Sequence, residues 1–417
     1  MPRSRVIRIF AVSIAAVACT VLFFGCSRTK PLMPARASAD ESVSGSVDQS
    51  SWSWVTPGGE RRSLEKTREI LLSTMKTYGV HGLSIFLKQG ASWSNRPNSY
   101  SLDLGTENPD SIKPIDGLTV FPAGNLSEPI VAYLALKLAT LGEIDIDRPL
   151  SRYLVNPPPD DPDWMDLLKD DRSQRLTARR ILSHQSGLAY SRAASADRRL
   201  HFESTPGKAF GYSKDAYSLL YPVLARITGR TFRDLAKTMV FDPIGMPQSS
   251  FGMEPRFKGH VALPPERGDD QQYVFLTSAA DFTKFAWLLA ITGLDLSFEY
   301  SMAYHGFAEI SVKTASPEDR SKPGNPRNLP RGLSWFLGWG RYELPRVLLG
   351  NCFFIGARQG GVDSYATAFE SQNSTALTVL IAGHGNGSMM PRILQAFLGE
   401  IETPLAWLEF GSSPAIR

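Results

Sequence analysis

Residues 9–24 form an almost unbroken apolar run behind Arg3, Arg5 and Arg8. Those sixteen residues fall short of the ~20 that cross a bilayer as a helix, and a basic head before a short apolar stretch fits an export signal over residues 1–25. From residue 26 to 53 the chain is rich in Ser, Ala, Asp and Pro and has no apolar period. Such a composition buries too little apolar surface to offset chain entropy, so residues 27–50 are expected to form an extended tether with almost no contacts to the body. A folded pattern then covers residues 54–417. Leu64, Ile70, Leu71 and Met75 recur at helical spacing, and residues 82–88 and 99–105 read as paired strands around a loop. A helix is predicted over 127–141, with Pro129 suited to its first turn. Further helices are predicted near residue 178 and over 213–228, 232–239 and 279–289, with a Pro-rich loop at 157–162. An irregular stretch over 294–333 holds Pro317, Pro323, Pro326 and Pro330. Strands at 335–341, 347–355, 364–370 and 376–382 precede a closing helix over 390–401. This order implies a discontinuous α/β lobe, residues 60–124 and 331–410, with an all-helical lobe, 127–290, inserted between the halves.

Composition narrows the classes. The 417 residues carry 45 basic against 41 acidic side chains, a net charge of +4. Three of those bases and no acid lie in the first 25 residues, so the remainder is near neutral and offers no long-range field for nucleic acid or an anionic membrane. Apolar residues at 42% and charged residues at 21% exclude a disordered chain. The three cysteines are Cys19, Cys26 and Cys352. Cys19 lies within the signal, and Cys352 sits among Phe353, Phe354 and Ile355, which reads as a packed thiol on a buried strand. With one cysteine left in the body, an internal disulfide is not expected. The run Leu22-Phe23-Phe24-Gly25-Cys26 resembles a bacterial lipoprotein signal, with Phe23 where that pattern has Leu. The resemblance implies that Cys26 is lipidated and becomes the N-terminus, and Ser27 is compatible with outer-membrane sorting. The alternatives are an uncleaved anchor or an ordinary export signal with an incidental cysteine.

Several phrases then converge in one order. Phe121-Pro-Ala-Gly124-Asn125-Leu-Ser127-Glu128 opens the helix that runs to Leu141-Gly-Glu-Ile-Asp-Ile-Asp. Leu182-Ser-His184-Gln-Ser186-Gly187-Leu188 follows, then Phe210-Gly-Tyr212-Ser-Lys214, then Phe241-Asp-Pro-Ile-Gly245-Met246. Over about residues 66–401 the chain resembles the serine β-lactamase-related family, which includes penicillin-binding DD-peptidases, class C β-lactamases and esterases. The resemblance implies an α/β (α+β) fold with an antiparallel sheet flanked by helices.

The chemistry of that family needs three elements. A Ser-x-x-Lys at a helix start puts nucleophile and amine on one helical face, so the amine can take the hydroxyl proton. A Tyr-x-Asn adds a second base and a polar clamp. A Lys/His-x-Gly on a strand edge supplies a donor beside the oxyanion-binding amides. In this chain the nucleophile position is Asn125 and the amine position is Glu128. Tyr212 is kept, with Lys214 where the Asn would stand. The third motif maps to Arg358-Gln359-Gly360. Asn125 has no nucleophilic oxygen, so the family's acylation is expected not to run. Asn125, Tyr212 and Arg358 are expected to come together, with His384 in Gly383-His-Gly as the alternative to Arg358. An ion pair between Glu128 and Lys214 is expected as a coupled exchange of the two motif charges.

Other residues have plainer readings. Ser63-Leu-Glu-Lys66 and Ser73-Thr-Met-Lys76 repeat the Ser-x-x-Lys spacing but precede the first strand, where the family has no nucleophile. Ser63 fits a helix cap and Lys76 a helix-end cation. Ser127, two residues past Asn125, is a substitute nucleophile only if the site has rearranged. His184 is read as a structural histidine. His81, His201, His260 and His305 show no ligand spacing, so no metal is expected, and no cofactor is expected either. Two functions follow as expectations. One is a silent, lipid-anchored envelope protein that keeps the site for a peptidoglycan-like or other small ligand. The other is an active esterase, β-lactamase or DD-peptidase working through a residue such as Ser127.

Overall fold

The computed structural model describes residues 52–91, 98–155, 160–263, 274–290, 310–311, 333–343, 351–370, 373–383 and 389–400. The expected signal, the tether, Cys26 and His384 lie outside the described residues.

A short antiparallel pair, β1 (Ser53–Val55) and β2 (Arg61–Ser63), leads into α1 (Leu64–Tyr78). Ser63 stands at the cap position, but its side chain makes no capping bond. The strands β3 (Gly82–Ala91) and β4 (Asn98–Gly105) follow, then β5 (Phe121–Pro122) and α2 (Ser127–Thr140). The inserted lobe holds α3 (Pro162–Leu167), α4 (Ala178–Leu182), α5 (Leu220–Thr228), α6 (Phe232–Ala236) and α7 (Asp242–Ile244). It is not purely helical. Its base carries a three-stranded sheet in which β7 (Phe275–Thr277) pairs with both β5 and β6 (Ser250–Phe251). The chain then runs through α8 (Ala279–Ala290), β8 (Ile310–Ser311), β9 (Leu333–Phe336), β10 (Trp339–Glu343), β11 (Asn351–Gln359), β12 (Val362–Glu370), β13 (Asn373–Ala382) and α9 (Met389–Leu398).

The main sheet has eight strands in the order β4-β3-β13-β12-β11-β10-β9-β8, and every pair is antiparallel. Its central strands are rich in Val, Ile, Leu, Phe and Ala and are buried along most of their length, as strands covered on both faces are. α8, which the sequence places with the helical lobe, packs on this sheet instead. Thr283 Oγ1 lies 2.8 Å from Thr378 Oγ1 of β13 and 3.2 Å from the Phe86 carbonyl of β3, both within hydrogen-bond reach. The sheet lobe therefore recovers the chain at α8, well before residue 331.

Two boundaries differ from the sequence reading for local reasons. The helix expected from residue 213 begins only with a 3₁₀ turn at Ala216 and becomes α-helical at Leu220. Ser213 Oγ donates to the Ala189 carbonyl at 2.7 Å and the Lys214 amide donates to the Tyr190 carbonyl at 2.9 Å, which holds the preceding segment out of the helix. The strand expected to end at residue 355 runs on to Gln359, where Gly360 and Gly361 turn the chain with φ of +59° and +80°. Two successive positive φ values are what a tight two-residue hairpin requires. Cys352 is fully buried on β11, with Sγ 3.3 Å from Thr367 Oγ1. Burial pushes its thiol up to about 12.

Candidate active site

The segment between β5 and α2 places the first candidate residue. Ala123 is tied at both ends: its amide donates to the Phe275 carbonyl of β7 at 2.9 Å, and its carbonyl accepts from Ser364 Oγ of β12 at 3.0 Å. Gly124 then takes a left-handed φ of +54°. It lies so close to β11 that an added Cβ would sit 2.9 Å from Ala357 Cβ and 3.0 Å from Gln359 Oε1. Asn125, in the short 3₁₀ turn Gly124–Leu126, is thereby fixed over the end of β11. Glu128 follows three residues later on the first turn of α2 and is 1% exposed.

A chain of hydrogen bonds starts at Asn125. Its Nδ2 donates to the Tyr212 hydroxyl at 2.6 Å, and that hydroxyl donates to Glu128 Oε1 at 2.6 Å. Glu128 Oε2 faces His184 Nε2 at 3.3 Å, the long end of a polar contact, and neither atom has a better-aligned partner among the described residues. The other ring nitrogen, Nδ1, accepts from the Ser213 amide at 3.4 Å, which assigns the ring proton to Nε2. Every donor thus points toward Glu128, and the carboxylate is the acceptor in which the chain ends.

Aromatic rings wall this network. Tyr212 lies 4.0 Å from His184 between ring centroids, with Trp335 at 4.7 Å and Tyr217 at 5.3 Å from the same imidazole. Trp335 Nε1 and the Tyr217 hydroxyl both donate to the Leu182 carbonyl, at 3.1 and 2.6 Å, so the end of α4 organises the wall. His184 itself has a φ of +52°, an uncommon conformation for a residue with a Cβ, and is 0% exposed. The turn between β9 and β10 closes on the same region. A Cβ on Gly338 would meet Ala132 Cβ at 2.7 Å and the Pro129 Cα at 3.0 Å.

This environment changes both titrating groups. Burial raises the Glu128 carboxyl above its ordinary range, and the charge and hydrogen bonds of His184 and Tyr212 pull it partly back. The Tyr212 phenol is held well above its ordinary value, first by burial and then by the Glu128 charge. A phenol that resists losing its proton is a poor general base. The raised carboxyl also has a sign for stability. Its contribution is fully present below the unfolded carboxyl value near ~4.3 and is lost as pH rises through the folded value. The stability advantage of wild type over Glu128→Gln is expected to shrink between about pH 4 and pH 8 in urea titrations. An advantage constant over that span would show that Glu128 does not titrate there. Asp103 and Asp281 are also raised by burial, and they cancel in this difference.

The remaining candidates are placed as follows. Arg358 does not face Asn125: its Nε donates to Asp363 Oδ1 at 2.8 Å. Successive strand residues alternate faces, and Ala357 and Gln359 present the face next to Gly124, so Arg358 lies on the other face. Gly360 belongs to the hairpin turn. The expected Glu128–Lys214 ion pair is absent, because His184 occupies the second oxygen of Glu128. Lys214 is half-buried and makes no ion pair among the described residues. The side chain of Ser127 is half-buried and makes no hydrogen bond among the described residues, so no base touches it. His184 is the contributor that spacing alone does not reveal, since nothing in the sequence links position 184 to position 128. Among the described residues no group of three or more His, Cys, Asp or Glu could hold a metal ion.

A family model described as Beta-lactamase matches residues 70–410. The chain belongs to the beta-lactamase family. Among relatives of this beta-lactamase family protein, Esterase EstB of Burkholderia gladioli is 26% identical over 194 residues, 40% of this chain and 45% of that one. Putative penicillin-binding protein PbpX of Bacillus subtilis (strain 168) is 23% identical over 189 residues, 42% of this chain and 43% of that one. In both, the match spans less than half of the relative's own length. The fold is that of solved family members. The D-alanine carboxypeptidase AmpC from Burkholderia cenocepacia superimposes with a TM-score of 0.57 at 17% identity, covering 81% of this chain and 99% of that one. The class C beta lactamase from Rhodobacter sphaeroides gives 0.59 at 15%, covering 80% and 98%. This family protein thus has a β-lactamase-like serine hydrolase fold in which Asn125, Tyr212 and Glu128 are joined by hydrogen bonds.

Proposed function

We propose that this protein is a catalytically silent member of its family that binds a small ligand at the Asn125–Tyr212 site. The observation that carries the reading is the Asn125–Tyr212–Glu128 chain. Where acyl transfer needs an oxygen nucleophile and a proton acceptor, there is an amide that forms no acyl-enzyme, and the adjacent phenol is held protonated first by its burial and then by the Glu128 carboxylate. A fluorescent penicillin and a fluorophosphonate are expected to leave no covalent adduct on the protein under conditions that label an active family member. An adduct at any serine, Ser127 above all, overturns the reading in favour of an active hydrolase.

The export signal and Cys26 support a cell-envelope location with a lipid anchor. No helix among the described residues is long and apolar enough to cross a membrane, so attachment would fall to the N-terminal segment. Radiolabelled palmitate is expected to enter the wild-type protein in a bacterial host and not Cys26→Ser. Equal labelling of the two would rule out Cys26 as the acceptor.

A further inference from the structure

The main sheet ends at β4, whose outer edge is only partly covered. The bond from the Thr106 amide to the His81 carbonyl fixes the phase of the β3–β4 ladder. Even-numbered residues of β4 bond inward to β3, while Ser99, Ser101, Asp103 and Gly105 turn their N–H and C=O groups outward. The chain itself adds a short strand at one end of that edge. Pro114 bridges Thr106, the Ile115 amide donates to the Gly105 carbonyl at 3.0 Å, and the Glu107 amide donates to the Lys113 carbonyl at 3.1 Å. The cover stops there. The outward amides and carbonyls of Ser99, Ser101 and Asp103 have no partner among the described residues.

This stretch lacks the lysines and prolines that keep such an edge from pairing: β4, Asn98–Gly105, holds neither. Its one charge, Asp103, is folded away, with Oδ1 accepting from Ser84 Oγ at 2.6 Å and Oδ2 from Ser101 Oγ at 3.0 Å. The free strip is three outward residues long and symmetric about Ser101. It is bounded by Pro97, which has no N–H to offer, and by Gly105, whose carbonyl is taken. Antiparallel pairing of two copies about Ser101 sets Asp103 against the partner subunit's Ser99, so each acid meets a hydroxyl and no acid meets an acid. The three opposed pairs exchange two backbone hydrogen bonds each. The incoming strand begins at the partner subunit's Asn98, opposite Leu104, short of the place that Ile115 holds.

We propose that the edge of β4 is a self-association surface, at which two copies of this chain join their main sheets through Ser99, Ser101 and Asp103. So short a contact makes a weak, reversible dimer. Sedimentation of the full chain in detergent, from about 1 μM to about 1 mM, is expected to move from monomer toward dimer. Over the same range, amide exchange in residues 98–105 is expected to slow by about fivefold or more. Ser101→Pro removes the central outward N–H and no bond of the β3–β4 ladder. Because that N–H is lost once in each copy, the variant is expected to associate about tenfold or more weakly. Ser101→Ala keeps the N–H and loses only the hydroxyl, so it is expected to stay within about twofold of wild type. A wild type that is monomeric throughout overturns the proposal and leaves the edge to an extended segment of another protein. A dimer whose exchange over 98–105 does not change, or Ser101→Pro associating like wild type, overturns it as well. The exchange comparison is made on wild type, so it holds even if the proline variant folds poorly.

Discussion

Replacing Glu128 by Lys is expected to destabilise the fold by about 3–5 kcal/mol, the range for breaking a buried charged contact by removing one partner. The substitution removes the acceptor at which the local hydrogen bonds converge. Tyr212 would lose its 2.6 Å acceptor, and His184 Nε2 would face an ammonium instead of a carboxylate. Three donors would then share a space from which water is excluded, since Glu128 and His184 are at most 1% exposed. Lys214 has no part in the penalty, because it does not pair with Glu128. Thermal unfolding followed by circular dichroism is a direct check. A melt within a degree of wild type would show that the buried network contributes little to stability. The substitution is thus costly because this protein has built its interior around the acid.

Gly338→Val is expected to cost roughly 2–5 kcal/mol through two independent effects. The φ of +85° is one that a β-branched residue adopts only with strain. The first added carbon would also fall 3.0 Å from the Pro129 Cα and 2.7 Å from Ala132 Cβ, and the first of these is main chain that cannot rotate aside. The turn would have to lift from α2, taking with it the Gly338 amide bond to the Leu182 carbonyl. That carbonyl is also the acceptor for Trp335 and Tyr217, so the aromatic wall around His184 should loosen as well. Urea unfolding measures the loss. Gly338→Ala serves as the intermediate case, and a valine variant as stable as wild type would mean that the turn is free to move.

Much of this architecture was legible in the chain. The apolar pattern and the Pro129 signal located α2 to within one residue at each end, and the phrases around Asn125 and Tyr212 marked side chains that meet at 2.6 Å. Charge pairing was less legible. Glu128 and Lys214 looked complementary because two motif positions had exchanged sign, but a pairwise argument knows only the residues it pairs. His184, 56 positions from Glu128, was already closer. Arg358 illustrates a different limit. A strand has a period of two, so an assignment one residue out of register puts the side chain on the opposite face, and Asp363 on the neighbouring strand was there to receive it. The sequence also hid the role of α8, whose apolar pattern says that it packs but not on which lobe.

The Cys352 thiol gives the folded protein a built-in clock. It sits in the central sheet, 0% exposed, and its raised pKa keeps it from the thiolate form that alkylating reagents attack. In a chain trimmed after residue 26 it is the sole cysteine, so every modification event by a thiol reagent counts one excursion in which β11 and β12 have separated. The rate of that reaction, followed without denaturant, reports how often the sheet beneath the site comes apart.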